Sequence, residues 1–404
     1  MNNENKTREN IDLKVDIIGD YLKDKSIALC VTGGIAAIET PKLARHLRRY
    51  GADVKAYMTP EAQKFIGKAS LEWGTEQAVV TELSGLAEHI SLEDLTLVAP
   101  ATLNTVNKIM SGHADNVVTT LVASSLGMEK PIYLAPTMHE SLYHNPIFKE
   151  NLEKAKDYGI KIIKPRGNEG KKKMPRIDDI VVNVARELSN HPIKGKKLLI
   201  TGGPTPGKID DVRILSNVFK GTLAVEMAKE AYHRGADVKL LLGNTGIKVP
   251  DYLDVTYHQD FHEYKSNVFN ELGKGYEGGI FSAAVADYIP VNKASGKIPS
   301  GGVLENIPLK QTSKVIKEVR EKYPDLYMST FKFQGNETSH EELMSIAKDR
   351  VNQGYDLVVA NRSEEMKGGK HIAHIIGSEG EIYTPQSKKE IAYQLIGAMG
   401  ERMK

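Results

Sequence analysis

The chain has 404 residues, 40% of them hydrophobic, which is enough to bury a core in each of two or three domains. Lys and Arg total 54 against 52 Asp and Glu, and a net charge of +2 exerts no whole-molecule pull toward nucleic acid. The single cysteine, Cys30, excludes an intrachain disulfide framework and suits a reducing cytoplasm. The apolar runs are strand-sized rather than membrane-spanning, and the polar opening MNNENKTREN lacks the apolar core of a signal peptide.

In chain order, residues 1–25 read as an extension, a polar tail followed by a short helix around IDLKVDIIGDYL. From Ser26, short apolar strands alternate with longer amphipathic segments. SIALCV, DVKAYM, LTLVAP and PIYLAP are strand candidates in the first half. KLLITGG, DVKLLLG, GGIFSAA, LYMSTFKF and DLVVAN follow in the second. Such alternation predicts α/β architecture with parallel sheets wrapped by helices, two Rossmann-like domains in all. Between the halves, Lys171 to Lys173 read as a solvated loop at about two to one over a flap above a phosphorylated substrate. A helix is expected over Ile177 to Leu188, SNHPIKG reads as a linker, and the boundary is placed near residue 192. The domains are therefore 26–191 and 192–404.

One phrase is written twice: strand, Thr-Gly-Gly, helix, then YGADVK or RGADVK, then strand. It runs from Ser26 to Met58 and again from Lys197 to Gly243. A glycine pair after a strand lets backbone N–H groups approach an anion. Ligands of such folds sit at the carboxyl ends of strands, at a switch in strand order. Alone the pair is weak, because a tight strand-to-helix turn needs it equally and the G-x-G-x-x-G spacing is absent.

In the first half the glycines have company. Thr59 lies in MTPEAQKF, Thr102, Asn104, Asp115 and Asn116 in APATLNTVNKIMSGHADN, and His139 in LAPTMHESLYHNP. These spaced phrases resemble the flavin mononucleotide-dependent cysteine decarboxylases, the phosphopantothenoylcysteine decarboxylase family, over residues 26 to about 165. The resemblance implies a flavodoxin-like domain holding FMN through Gly33, Gly34, Ile35, Thr59, Thr102, Asn104 and Asp115. It implies that His89, in HISL, is the catalytic base. Loss of CO₂ from a cysteine carboxylate leaves electrons with no sink; flavin oxidation of the thiol creates one, and reduction afterwards makes the net reaction redox-neutral. Two positions depart from the family pattern. Pro136-Thr137-Met138-His139 stands where P-x-M-N is usual, so His139 takes the substrate-contacting place. The flap reads EGKKKMP and lacks the bacterial proton-donating cysteine, so another acid replaces it or the reductive half-reaction is altered.

In the second half, ITGGPTPGKIDDVRILSN, SAAVADYIPVNKASGKI, TFKF and DLVVANR resemble the phosphopantothenate–cysteine ligase domain over residues 196 to about 395. In that family a carboxylate attacks the α-phosphate of a nucleotide, usually CTP with Mg²⁺. Pyrophosphate leaves, and cysteine's amine then takes the acyl group. The resemblance assigns Asn217 to the acyl intermediate, Lys297 to the charge on the transferring phosphate, and Asp287 to the nucleotide. It places Gly202, Gly203, Asp210, Lys220, Phe331, Lys332 and Asn361 around nucleotide or substrate. No metal ligand is singled out. After Asn217 the usual S-S-G-K-M-G is replaced by Val218-Phe219-Lys220-Gly221-Thr222-Leu223, which implies altered nucleotide binding or a phosphate held by Lys220.

Together the halves resemble the archaeal-type fusion of decarboxylase and ligase in coenzyme A biosynthesis. That resemblance implies small-molecule substrates (4'-phosphopantothenate, cysteine and CTP) and a homo-oligomer of trimeric decarboxylase cores and dimeric ligase domains, a dodecamer. Two rivals are a flavoprotein acting on another cysteine-containing substrate with a drifted ligase domain, and a non-catalytic flavin-binding regulator.

Overall fold

The computed structural model describes residues 13–168, 171–299, 301, 306–367 and 370–403. The chain divides into two compact units between Ser189 and Asn190. Glu169 and Gly170 of the flap phrase and residues 1–12 lie outside the described residues.

The first unit runs β1 (Ser26–Val31), α1 (Thr40–Arg49), β2 (Asp53–Met58), α2 (Lys68–Thr75), β3 (Leu95–Ala101), α3 (Leu103–Met110), α4 (Val117–Gly127), β4 (Ile132–Pro136), β5 (Met138–His139), α5 (Glu140–Tyr143), α6 (Pro146–Asp157), β6 (Lys161–Ile162), β7 (Arg166–Asn168), β8 (Lys171–Lys173) and α7 (Ile177–Leu188). Five strands form a parallel sheet in the order β2-β1-β3-β4-β6, the doubly wound flavodoxin-like order, with its switch between β1 and β3. The strands read as unbroken apolar runs because both faces are covered. Leu29 and Val31 face one core with Leu43 and Leu47, whereas Ala28 and Cys30 face another with Val118 and Leu121.

Two expectations are corrected here. The segment Leu13–Asp20 is not a helix beyond a single 3-10 residue. Its carbonyls are claimed by side chains of α1: Arg45 donates to Leu13 and Lys14, and Arg49 to Asp16. Ile18 N donates to Arg49 O, and the strap ends by burying Leu22. The lysine cluster is a strand rather than a solvated loop. β8 pairs antiparallel with both β7 and β5, a three-stranded ribbon of its own. Lys172 lies 3.4 Å from Glu140 and over the ring of Tyr143.

The second unit runs β9 (Lys197–Gly202), β10 (Gly207–Lys208), β11 (Ile214–Leu215), α8 (Thr222–His233), β12 (Asp237–Gly243), β13 (Asp254–His258), α9 (Phe261–Leu272), β14 (Gly278–Phe281), β15 (Tyr288–Pro290), β16 (Leu309–Gln311), α10 (Val315–Lys322), β17 (Tyr327–Gln334), α11 (His340–Asn352), β18 (Leu357–Arg362), β19 (His374–Gly377), β20 (Gly380–Tyr383) and α12 (Lys388–Arg402). Eight strands form one sheet in the order β13-β12-β9-β14-β17-β18-β19-β20. The pairs from β13 to β18 are parallel, while β19 and β20 close the edge antiparallel. The switch in strand order falls between β9 and β14.

The repeated GADVK phrase has one structural meaning in both units. Gly51 and Gly235 adopt left-handed φ of 94° and 96° just beyond α1 and α8. Gly51 N donates to Arg48 O and Ala52 N to Leu47 O; Gly235 N donates to Tyr232 O and Ala236 N to Ala231 O. Each is a Schellman C-cap that satisfies the last helical carbonyls and turns the chain into the next strand.

Candidate functional sites

In the first unit, the carboxyl ends of β1, β2 and β3 converge on Gly33-Gly34. The buried Thr32 donates from Oγ1 to Pro100 O at 2.7 Å and lies 3.3 Å from both Thr102 N and Thr102 Oγ1. Thr102 Oγ1 continues the chain to Thr105 at 3.1 Å. A Cβ on Gly33 would stand 2.4 Å from Glu61 Cβ, and one on Gly34 3.5 Å from Thr102 Cγ2. Gly33 is thus demanded by close approach of the β2 loop. Thr59 N donates to Val31 O at 3.1 Å, which brings Thr59 into the same group, though its hydroxyl also accepts from Ala62 N at 3.2 Å. Asn104, in the first turn of α3, is exposed and has no side-chain partner among the described residues. Ile35 is 70% exposed beside the glycines.

Asp115 is engaged differently. Its carboxylate binds Lys108, Thr119 Oγ1 and Asn116 Nδ2, and the Lys108 bond foremost holds its acidity below the usual range. Asn116, which caps α4 through Val118 N and Thr119 N, is structural. His89 stands exposed in the turn before β3, without a hydrogen-bond partner among the described residues. The loop beyond it is anchored, because Lys130 Nζ donates to the carbonyls of Ser91 and Glu93. His139 caps α5, its Nδ1 accepting from Ser141 N at 3.2 Å. Cys30 cannot stand in for a flap cysteine: it is buried in β1, and burial, then Glu93, push its thiol far up.

In the second unit, a cavity of about 650 Å³ opens at the carboxyl ends of β9, β14, β17 and β18. Gly203, Asn217, Lys220, Asp287, Phe331, Lys332 and Asn361 line it, as the sequence suggests. Asn217 Nδ2 donates to Ala284 O at 2.8 Å, and Ala284 N donates to Gly203 O at 2.9 Å. The turn after β9 and the Ala-Ala-Val-Ala-Asp turn after β14 are therefore one assembly. Gly221, with φ of 90°, starts α8 at the cavity wall. A Cβ there would meet Gly203 N at 2.7 Å. In the unusual loop, Phe219 packs its ring edge to face on Phe333, centroids 5.3 Å apart.

The sequence did not single out Lys314, Arg350 or Lys388, which also face the cavity. They come from distant helices and loops whose only advance signal is a basic residue at a helix end. Among the described lining residues, Lys220, Lys314, Lys332, Arg350 and Lys388 stand against one carboxylate, Asp287, which pairs with Lys314. Burial lowers the Lys332 ammonium, and Arg350 and Lys314 lower it further; burial also lowers Arg350. A cavity in which cations are partly desolvated beside one another is built for an anion.

Three expected residues lie elsewhere. Gly202 is the last residue of β9, where a Cβ would strike Ala224 Cβ at 2.2 Å, so its requirement is helix packing. Asp210 is buried and accepts from Val212 N, Arg213 N and Ile298 N at 2.8, 2.6 and 3.1 Å, and from the Arg213 guanidinium. Burial opposes its charge, but these amides hold its acidity at about 2. Asp210 is thus a clasp between two loops. Lys297 sits beside that clasp on an exposed loop, outside the cavity lining.

Comparison with known proteins agrees with this division. Residues 19–189 match the Flavoprotein family, and residues 193–402 match the DNA/pantothenate metabolism flavoprotein C-terminal domain. Fold and match together define a flavoprotein domain joined to a ligase-type domain. The coenzyme A biosynthesis bifunctional protein CoaBC of Thermococcus kodakarensis is 38% identical over 385 residues, 93% of this chain and 94% of that one. Its counterpart from Methanocaldococcus jannaschii is 36% identical over 383 residues, 93% of each chain. A solved structure of the DNA/pantothenate metabolism flavoprotein from Streptococcus pneumoniae aligns at 24% identity with a TM-score of 0.47, over 51% of this chain and 99% of that one. The chain belongs to the family of bifunctional coenzyme A biosynthesis proteins, which joins cysteine ligation to decarboxylation. No helix among the described residues is long and apolar enough to cross a membrane.

Proposed function

We propose that the second unit condenses 4'-phosphopantothenate with cysteine at the expense of CTP and Mg²⁺. The first unit then decarboxylates the product to 4'-phosphopantetheine with FMN, in the cytoplasm. The observation that carries the ligase reading is the surplus of cations in the β9–β18 cavity, which suits a triphosphate and a phosphorylated acid. The substrate carboxylate attacks the α-phosphorus, and the bond to pyrophosphate breaks. Cysteine's amine then attacks the acyl carbon and loses a proton as the nucleoside monophosphate leaves. Asn217, fixed through Ala284, holds the acyl intermediate. Lys220 and Lys332 take the leaving phosphates, and Asp287 contacts the nucleotide. Lys297 offsets charge on the transferring phosphate, which requires its exposed loop to reach the cavity.

In the first unit, Gly33, Gly34, Ile35, Thr59, Thr102, Asn104 and Asp115 would hold FMN. The fit rests on the steric demand at Gly33, the threonine chain beneath it and the unpartnered amide of Asn104. When bound, flavin supplies a two-electron sink for the substrate thiol. His89 takes the proton released in that step, and His139 orients the substrate carboxylate. The exposed Ile35 beside the glycines supports a subunit contact at this site and, with paired ligase domains, a dodecamer.

Mass spectrometry of products tests the scheme. Phosphopantothenate, cysteine, Mg²⁺ and CTP yield phosphopantetheine; ATP in place of CTP yields little. Arrest at phosphopantothenoylcysteine would refute the decarboxylase roles, and equal use of ATP would refute the nucleotide assignment.

A further inference from the structure

A cluster outside the cavity lining forms where β18 ends. His374 opens β19, Glu381 lies on β20, and His340 begins α11. One ligand atom from each of these three residues lies within 4.8 Å of the other two. The imidazoles meet edge to face, with centroids 4.8 Å apart. His374 Nδ1 lies 2.5 Å from Glu381 Oε1, and its Nε2 lies 3.1 Å from Glu365 Oε1. Glu365 is itself clamped, accepting from Arg362 N at 2.6 Å and from the Arg362 guanidinium at 3.1 Å.

This is the arrangement that a metal-binding imidazole needs. One ring nitrogen is tied to a carboxylate that is fixed in turn, and the other faces further donors. An imidazolium held between two carboxylates would account for His374 alone. It would not account for His340, a second imidazole set beside it with no hydrogen-bond partner among the described residues. Two nitrogens and one oxygen favour zinc-class ions over Mg²⁺ or Ca²⁺, which take oxygen ligands. With metal–ligand bonds of about 2.0–2.1 Å, donors around a tetrahedral ion stand roughly 3.4 Å apart. His374 Nδ1 and Glu381 Oε1 stand closer than that in the ion-free structure, so a bound ion requires the exposed His340 and Glu381 side chains to reorient around it.

We propose that His340, His374 and Glu381 bind a zinc-class divalent cation, with Glu365 as the outer carboxylate that positions His374 and a fourth coordination place left for water. The ion would pin the start of α11 to the β19–β20 hairpin. The test uses the full-length protein with its flavin bound, stripped by chelator and titrated with Co²⁺ in excess Mg²⁺. One equivalent of Co²⁺ giving d–d absorption to the red of the flavin bands, and displaced by Zn²⁺, is expected. His340→Asn, on an exposed position, should fold normally by circular dichroism and lose that absorption. Glu365→Gln should weaken Zn²⁺ binding by about 10–100-fold. Zn²⁺ should raise the thermal midpoint of the natural protein and not of His340→Asn. Absence of d–d bands in the natural protein, or their persistence in His340→Asn, would overturn the proposal.

Discussion

Replacing Gly203 with alanine probes the link between fold and ligation at a single methyl group. Gly203 has φ of 76°, a conformation that costs an L-residue about 1–2 kcal/mol. The added Cβ would stand 2.8 Å from Gly243 N and 3.0 Å from Gly243 Cα, both backbone atoms that cannot rotate away. Forcing a methyl into such a contact costs about 1–3 kcal/mol, so the total is about 2–5 kcal/mol. Part of that strain moves the turn. Gly203 O accepts from Ala284, whose own carbonyl anchors Asn217, so the shift passes to the residue proposed to hold the acyl intermediate. A displacement of about 1 Å there lowers turnover about a hundredfold. Ligation is measured with phosphopantothenate, cysteine and nucleotide, and decarboxylation separately with supplied phosphopantothenoylcysteine. Ligation should fall and decarboxylation stay unchanged. A variant that ligates within twofold of the parent and unfolds at the same midpoint would refute this reasoning.

Other perturbations separate the sites. His258 is buried, donates from Nε2 to Pro204 O at 3.2 Å, and is held neutral by burial, down to about 4 from 6.5. Because the unfolded chain binds the extra proton first, stability is full above pH 6.5 and falls on acidification toward pH 4. The loss reaches about 3 kcal/mol, at about 1.4 kcal/mol per tenfold in proton affinity. Urea unfolding followed by circular dichroism across that window should show the loss, and His258→Gln should flatten it. His89→Asn should abolish decarboxylation and leave ligation and the flavin spectrum intact; retained decarboxylation would remove His89 from the chemistry. Lys332→Gln should raise the nucleotide KM by about tenfold to a hundredfold, read from initial rates of pyrophosphate release. Lys297→Gln should lower ligase kcat about a hundredfold with little change in nucleotide KM, and an unchanged kcat would show that its loop does not reach the phosphate.

The strands were legible because parallel sheets covered on both faces write themselves as apolar runs. The glycine pairs were legible as turns at strand ends; that those ends are the β1/β3 and β9/β14 switch points is seen only in the strand order. The N-terminal strap was not legible: over its described part, from Leu13 onward, the expected helix is overruled by arginines of α1 that capture the carbonyls of Leu13, Lys14 and Asp16, a tertiary effect absent from local periodicity. The lysine cluster failed similarly, since charge reads as exposure and the pairing of β8 with β5 involves distant residues. At the sites, Asn217, Lys220 and Asp287 could be placed by phrase, whereas Arg350, Lys314 and Lys388 reach the cavity only through the packing of α10, α11 and α12 against the sheet. The twin glycine turns share a spelling and differ in cause. Gly33 yields to the close approach of Glu61, while Gly203 combines close approach with a left-handed backbone.

The surplus of positive charge around the second cavity also shapes time courses. The five cations that face one carboxylate among the described lining residues should speed the arrival of a polyanionic substrate, and the effect should fade as added salt shortens the Debye length below about 8 Å. On the proposed ligase reading, the same field would grip the departing pyrophosphate, which carries most of the nucleotide's charge. At low ionic strength, turnover would then be set by how fast the spent anion escapes, so moderate salt would accelerate the steady state even as it weakens capture.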